Sequence, residues 1–305
     1  MAFQTQDLIT NHILSYISHP PPSNPGQPPL FVGLQGPQGA GKYVSYSDHP
    51  TISCITTRSY ILRRTTVTNA LLSSLSSPPH NLRVVVLSID DLYFPYEGLR
   101  SLAHTYKGNG LLDGRGHAGT HDIELGARLL QQLHDINSPS SEAGATEETK
   151  TQEIKIPKFD KSAHEGYGDR APETEWSLIS GPVDVVICEG WCLGFYPLEE
   201  DELVSRWEKR CELGVPQTVR MEGGVEDIKF VNEKLKEYIE RWYWVFKCFV
   251  QVSSAPKYGS GSILIDARQI ATPPYEYIYK WRMQQEHSMK SKNGGRGMTD
   301  EQVIT

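Results

Sequence analysis

The chain has 305 residues, 38% hydrophobic and 22% charged, with a formal net charge of −7. That length makes one large α/β domain or two small ones with ample material for a core, and the acidic balance argues against a nucleic-acid partner. No secretory apolar stretch opens the chain and no run approaches the roughly 18 apolar residues of a membrane span, so a soluble protein with no membrane partner is expected.

Cys54, Cys188, Cys192, Cys211 and Cys248 show no paired metal spacing. They read as small hydrophobes in a reducing compartment, most simply the cytoplasm.

Residues 6–18 carry Leu8, Ile9, Ile13, Leu14 and Ile17 on one helical face, predicted to pack on a sheet edge. Pro20 to Pro29 is a Pro-rich linker. Leu30–Leu34 is a short apolar run that reads as a buried strand. It runs into Gly36-Pro37-Gln38-Gly39-Ala40-Gly41-Lys42, the front of a phosphate-binding loop. The glycines let consecutive backbone N–H groups face a phosphate, and Lys42 brings a point charge to the β- and γ-phosphates. A Ser or Thr for Mg²⁺ and a helix should follow. Tyr43 stands there instead. The expected hydroxyls and helix appear at Thr65-Thr66-Val67-Thr68-Asn69-Ala70-Leu71-Leu72. Residues 43–64 have no helical period and split the motif. They read as a translated intervening sequence or as a real loop that lets Thr65 return to the metal. Pro78 and Pro79 stop the helix.

Arg83–Ile89 is a β-branched run, predicted as a buried parallel strand, and it ends in Asp90-Asp91-Leu92-Tyr93. Carboxylates just past such a strand end sit where ligands bind in open α/β sheets. A kinase needs one there to take the proton of the substrate hydroxyl and to hold metal water. The alternative is a cap for the next helix.

A Gly-rich loop follows with Arg115, His121 and Asp122 as polar groups for a small substrate. Asp122 could equally cap a helix over 123–134. Residues 136–153 read as a mobile surface loop. A short strand over 154–160 leads to a second Gly-rich loop, where Lys161 and Arg170 are candidates for anion contacts. Val183–Gly190 is a second hydrophobic strand ending in an acid, so Glu189 is expected to hold Mg²⁺ through water.

An amphipathic helix is predicted over 225–241, with Ile228, Val231, Leu235 and Ile239 as core, and a strand near 245–250. Residues 252–269 repeat the aperiodic character of 43–64 and read as a second read-through segment. A helix over 275–290 carries Lys280 and Arg282. The chain stops at Met298–Val303 on what reads as a fresh helix start, as if the C-terminus were missing.

The chain resembles the D-glycerate 3-kinase family and its fungal-type homologues, P-loop kinases related to the uridine kinase, phosphoribulokinase and pantothenate kinase group. The resemblance rests on GPQGAGK with the displaced TT, SIDDLY (88–93), GNGLLDGRGHAGTHD (108–122), PKFDKS with GDR (157–170), ICEGWCLGF (187–195), VNEKLKEY (231–238), YKWRMQQE (279–286) and GMTDEQV (297–303). It covers most of the chain except 43–64, 136–153 and 252–269. It implies one P-loop kinase domain: a doubly wound parallel sheet flanked by helices, with a helical lid. It places the general base on Asp90 and a lid arginine on Arg282.

The expected activity is ATP- and Mg²⁺-dependent transfer of a phosphoryl group to a hydroxyl, most simply of D-glycerate. Lys42 and Arg282 would stabilise the transferring group. Gly36 to Lys42, Thr65 and Thr66 would bind the nucleotide. Thr65, Asp91 and Glu189 would hold the metal, and Asp91, Tyr93, Arg115, His121, Asp122, Lys161 and Arg170 would surround the acceptor. The alternatives are a nucleoside- or pantothenate-type kinase, or a non-catalytic ATP-binding protein, given the split after Lys42.

Overall fold

The computed structural model describes residues 2–17, 26–36, 66–138, 152–209, 222–252, 263–265 and 287. The segment 43–64, most of the predicted surface loop and nearly all of the 275–290 helix lie outside these residues.

Helix α1 (Ala2–Ser15) precedes strand β1 (Leu30–Gln35). Helix α2 (Thr66–Ser76) stops just before Pro78, and strand β2 (Val84–Ser88) follows. Next come α3 (Tyr96–Thr105) and α4 (Ile123–Asp135). Four short strands follow: β3 (Glu153–Ile156), β4 (Phe159–Asp160), β5 (Asp169–Arg170) and β6 (Ser177–Ser180). Strand β7 (Val185–Gly190), helix α5 (Glu200–Glu208), helix α6 (Val225–Arg241) and strand β8 (Phe246–Val252) complete the main body, with β9 (Ile263–Ile265) beyond it.

The central sheet runs β2-β7-β1-β8-β9. β1 pairs parallel with β7 and β8, and β2 pairs parallel with β7. The strand order reverses direction about β1, which places a crevice at its C-terminal end, where open α/β sheets bind ligands. β9 departs from the parallel expectation: it pairs antiparallel with β8 through Val250↔Ile265. Ile263–Ile265, within the stretch that is aperiodic in sequence, therefore supplies an edge strand.

Alternation along the strands feeds two apolar layers. Phe31, Val85, Leu87, Val186 and Cys188 face one side, with Leu129, Leu130 and Leu133 of α4 and Leu235 and Tyr238 of α6. Val32, Leu34, Val86, Val185, Ile187 and Val250 face the other, with Ile9 and Ile13 of α1 and Leu71 and Leu75 of α2. Helices on both faces make the sheet doubly wound. α1 packs on this face and on α2, and it also touches the edge strand β9. Leu8, on its expected apolar face, is 56% exposed. No helix of the described residues is long and apolar enough to cross a membrane.

Register aligns the exits of the strands. Ser88 pairs with Glu189, and Glu189 pairs with Leu34. Asp90, Glu189 and Gly36 therefore leave the sheet at the same end. Two antiparallel pairs, β3-β6 and β4-β5, lie outside the main sheet.

Candidate active site

β2 ends in a 3-10 turn, Ile89–Leu92, whose N-terminus is capped by Ser88 Oγ accepting from Asp90 N at 3.3 Å. Ile89 and Leu92 are buried. This anchors the turn by its ends and leaves the two aspartates partly exposed between them.

The Asp90 carboxylate is held from two directions. Tyr93 Oη donates to Oδ1 at 3.0 Å, and Lys161 Nζ donates to Oδ2 at 2.5 Å. Burial and the nearby Asp90 charge push the Tyr93 phenol well above its ordinary range, so it stays a donor. Asp91 Oδ1 accepts from Phe159 N at 2.9 Å, which ties the turn to β4. Burial raises Asp91 to about 6, against the opposing pull of the Phe159 N–H and the Lys161 charge. Glu189 is 8% exposed at the end of β7, and its charge and that of Asp90 add to the rise at Asp91.

The two Gly-rich loops close around this turn. Residues 120–122 run antiparallel to 92–94: Phe94 N donates to Thr120 O at 3.0 Å and Asp122 N to Leu92 O at 2.8 Å. Tyr93 and His121 bridge there, and their rings stack at 4.2 Å between centroids. Both side chains lie in the core, at 2% and 1% exposure, rather than toward solvent. His121 Nδ1 lies 2.6 Å from Tyr238 Oη. Its Nε2 is buried without a hydrogen-bond partner among the described residues. Burial lowers the imidazole to about 4, so it is neutral near pH 7.

Asp122 caps α4, accepting from Leu125 N at 2.9 Å, and also accepts from Arg170 Nη2 at 3.0 Å. Arg170 donates to Tyr93 O at 2.7 Å as well. Arg115 donates from Nη1 to Gly166 O at 2.5 Å and Tyr167 O at 2.6 Å. These arginines hold loop to loop. The fold thus gathers Asp90, Asp91, Tyr93, Arg115, His121, Asp122, Lys161, Arg170 and Glu189 at one end of the sheet. Gly36 directly follows β1, and Thr66 opens α2. Pro37, Gln38, Gly39, Ala40, Gly41, Lys42, Thr65 and Arg282 lie outside the described residues.

Other residues here went unmarked in the sequence. Trp191 Nε1 donates to Gly116 O at 2.8 Å, and Gln35 Nε2 donates to Trp191 O at 3.2 Å, so this residue links the exit of β1 to the first Gly-rich loop. Tyr238 lies three residues after Leu235 on the apolar face of α6, and helical spacing could have flagged it. Asp169 accepts from Tyr96 N at 2.8 Å, and His164 stacks on Tyr96 at 3.8 Å. Only the folded loop reveals these.

A mostly parallel sheet with β1 at its centre, helices on both faces and carboxylates at the strand exits defines a kinase-type P-loop fold. No protein-family model matches the chain. It is 30% identical over 300 residues to the uncharacterized kinase mug58 of Schizosaccharomyces pombe, covering 98% of this chain and 83% of that protein. It is 29% identical to the chloroplastic D-glycerate 3-kinase of Arabidopsis thaliana, over 90% of this chain, and the match spans 45% of that protein's length. The solved structure of D-glycerate 3-kinase from Cryptococcus neoformans superposes with a TM-score of 0.67 at 31% identity, covering 99% of this chain and 83% of that one. The chain belongs to the D-glycerate 3-kinase family of ATP-dependent kinases.

Proposed function

We propose that this chain transfers the γ-phosphoryl group of ATP to a hydroxyl of D-glycerate. The reading draws on the relatives that carry that name. The observation that carries it is Asp90, held by Tyr93 and Lys161 at the exit of β2. In this reading the acceptor oxygen forms its bond to the γ-phosphorus as the bond from phosphorus to the β,γ-bridging oxygen breaks. ADP leaves with that electron pair, and Asp90 takes the hydroxyl proton. Catalysis is then positioning and electrostatics, with no covalent enzyme intermediate. In this reading Gly36 to Lys42, Thr65 and Thr66 bind the nucleotide, and Lys42 and Arg282 stabilise the charge of the transferring group.

Mg²⁺ suits the donors present. With a nucleotide it takes one or two carboxylates, the phosphates and waters. Asp91 and Glu189 supply hard oxygens near each other, and Thr65 completes the proposed set. Among the described residues no group of three or more His, Cys, Asp or Glu is arranged as a protein-only metal cage. Bound Mg²⁺ would offset the charge of the nucleotide's phosphates. The reduced, buried thiols of Cys188 and Cys192 suit a cytoplasmic location.

The test is ADP release from MgATP with D-glycerate, uridine and pantothenate in parallel. D-glycerate alone should drive turnover. Release with uridine or pantothenate instead would move the chain to another acceptor class. ATP binding with no turnover on any of them would overturn the kinase reading.

A further inference from the structure

We infer that Trp191 is a positioning residue: it fixes the first Gly-rich loop against the strand that leads into the phosphate loop, and so sets the acceptor side of the site relative to the nucleotide. This rests on the kinase reading above and adds a residue to it.

Sheet register fixes the exits of β1, β2 and β7 relative to one another, with Gln35 paired to Gly190 and Ser88 to Glu189. The first Gly-rich loop has no such frame, because it lies outside the sheet. At its glycines packing does not hold it either: a Cβ built on Gly114 or Gly116 would meet nothing within 4 Å. Hydrogen bonds reaching in from other elements set its place. Arg115 ties it to the second Gly-rich loop, and residues 120–122 tie it to the Asp90 turn.

Trp191 ties it to the nucleotide side. This residue directly follows β7, two positions after Glu189. Gln35, at the end of β1 and 8% exposed, donates from Nε2 to Trp191 O at 3.2 Å. The residue before Gly36 thus holds the tryptophan backbone. The indole Nε1 then donates to Gly116 O at 2.8 Å, with the ring in T-shaped contact with His117 and Phe195. Gly116 belongs to a closed turn. Its N–H donates to Thr120 Oγ1 at 3.1 Å, and Thr120 N and Oγ1 both donate to His117 O, at 3.1 and 2.6 Å. A bond to Gly116 O therefore holds the whole turn between Arg115 and His121. Phosphoryl transfer needs its reacting atoms roughly 3–3.5 Å apart, and an error of about 1 Å can cost about 10²-fold in rate. A strut from the β1 exit to this loop guards against that error.

The test uses the full chain and two independent measures, ADP release and amide hydrogen exchange by mass spectrometry. Trp191→Phe keeps a ring beside His117 and Phe195 and removes the N–H. It should lower kcat with D-glycerate about 10–100-fold. Affinity for a non-hydrolysable MgATP analogue, by calorimetry, should stay within about threefold, because a lost positioning contact acts on turnover rather than on nucleotide binding. Exchange in residues 114–120 should quicken about 3–10-fold, the scale of one hydrogen bond, while β1 and β7 keep the parent's rates. If Trp191→Phe fails to fold, Gln35→Met, which releases the Trp191 carbonyl and leaves the indole in place, is measured in the same way. Unchanged exchange in 114–120, or unchanged kcat, overturns the assignment. Faster exchange through β1 and β7 as well would make Trp191 a general core residue and also overturn it. A parent that releases no ADP sinks the kinase reading, and the loop's exchange then decides by itself whether Trp191 holds it.

Discussion

The Tyr93 phenol, 2% exposed, donates to Asp90 Oδ1 at 3.0 Å. The ring is fixed by its stack on His121 and an edge contact with Phe159. Asp90 is therefore oriented from inside the core, while its other oxygen faces Lys161.

That arrangement separates a base from its support. Asp90→Asn should lower kcat by about 10²–10⁴ and leave ATP affinity within a few-fold, as for loss of a general base. Tyr93→Phe keeps the ring stack and removes only the donor, so its loss should be smaller, about tenfold in kcat with KM held. Steady-state kinetics of the two variants decide it. Full activity in Asp90→Asn would transfer the base role to Asp91.

Two desolvated groups, His121 and Asp91, oppose each other in acid. Burial lowers His121 from 6.5 to about 4, so between these pH values the unfolded chain binds a proton that the folded chain refuses. That contribution is complete above pH 6.5 and is lost as pH falls. Burial raises Asp91 from 3.8 to about 6, so there the folded chain binds the extra proton and stability falls as pH rises. Each effect is worth about 3 kcal/mol, and they nearly cancel. Asp91→Asn should expose the histidine alone: in metal-free buffer its urea-unfolding free energy should rise by about 3 kcal/mol from pH 4 to 6.5, while the parent stays nearly flat. Identical profiles would refute the compensation.

Close packing at the centre of the sheet should be intolerant of a single methyl. A Cβ on Gly33 would lie 2.2 Å from Phe249 Cδ1 across the β1–β8 pair. Gly33→Ala should cost about 1–3 kcal/mol in urea unfolding. Adding Phe249→Leu should recover part of it, since the two sites share one contact. An additive double variant would show that the ring does not set the cost.

The split nucleotide motif carries the last prediction. Deleting residues 43–64 makes Lys42 and Thr65 neighbours, as a P-loop requires. Closing a loop of that length costs about 3 kcal/mol, which the domain can bear. Misplacing the lysine by about 1 Å can cost about 10²-fold in rate. The shortened chain should bind MgATP more tightly and release ADP with D-glycerate about 10²-fold faster than the full chain. Equal values would make 43–64 a tolerated insertion.

Local patterns determined much of this protein. The β-branched run before Asp90 and the apolar run before Glu189 could only be buried strands, because their side chains have no polar face to offer water. Leu129, Leu130 and Leu133 marked the inner face of α4 through helical spacing. The 225–241 helix matches its predicted bounds. The aspartates at the exit of β2 were legible because strand ends are where such sheets present ligand groups.

Tertiary structure decided what each polar group contacts. In sequence, Arg115 and His121 stood out as contacts for the acceptor, and Arg170 and Lys161 as candidates for anion contacts. Folding ties Arg115 and Arg170 to carbonyls of the facing loops, buries His121 against Tyr93, and sets Lys161 beside Asp90. Periodicity reports which face of an element is buried, but contacts between loops distant in sequence have no local period. The pairing of 92–94 with 120–122 and the pairing of β9 with β8 are of that kind. Backbone hydrogen bonding is common to every residue type, so composition leaves those pairings to the fold.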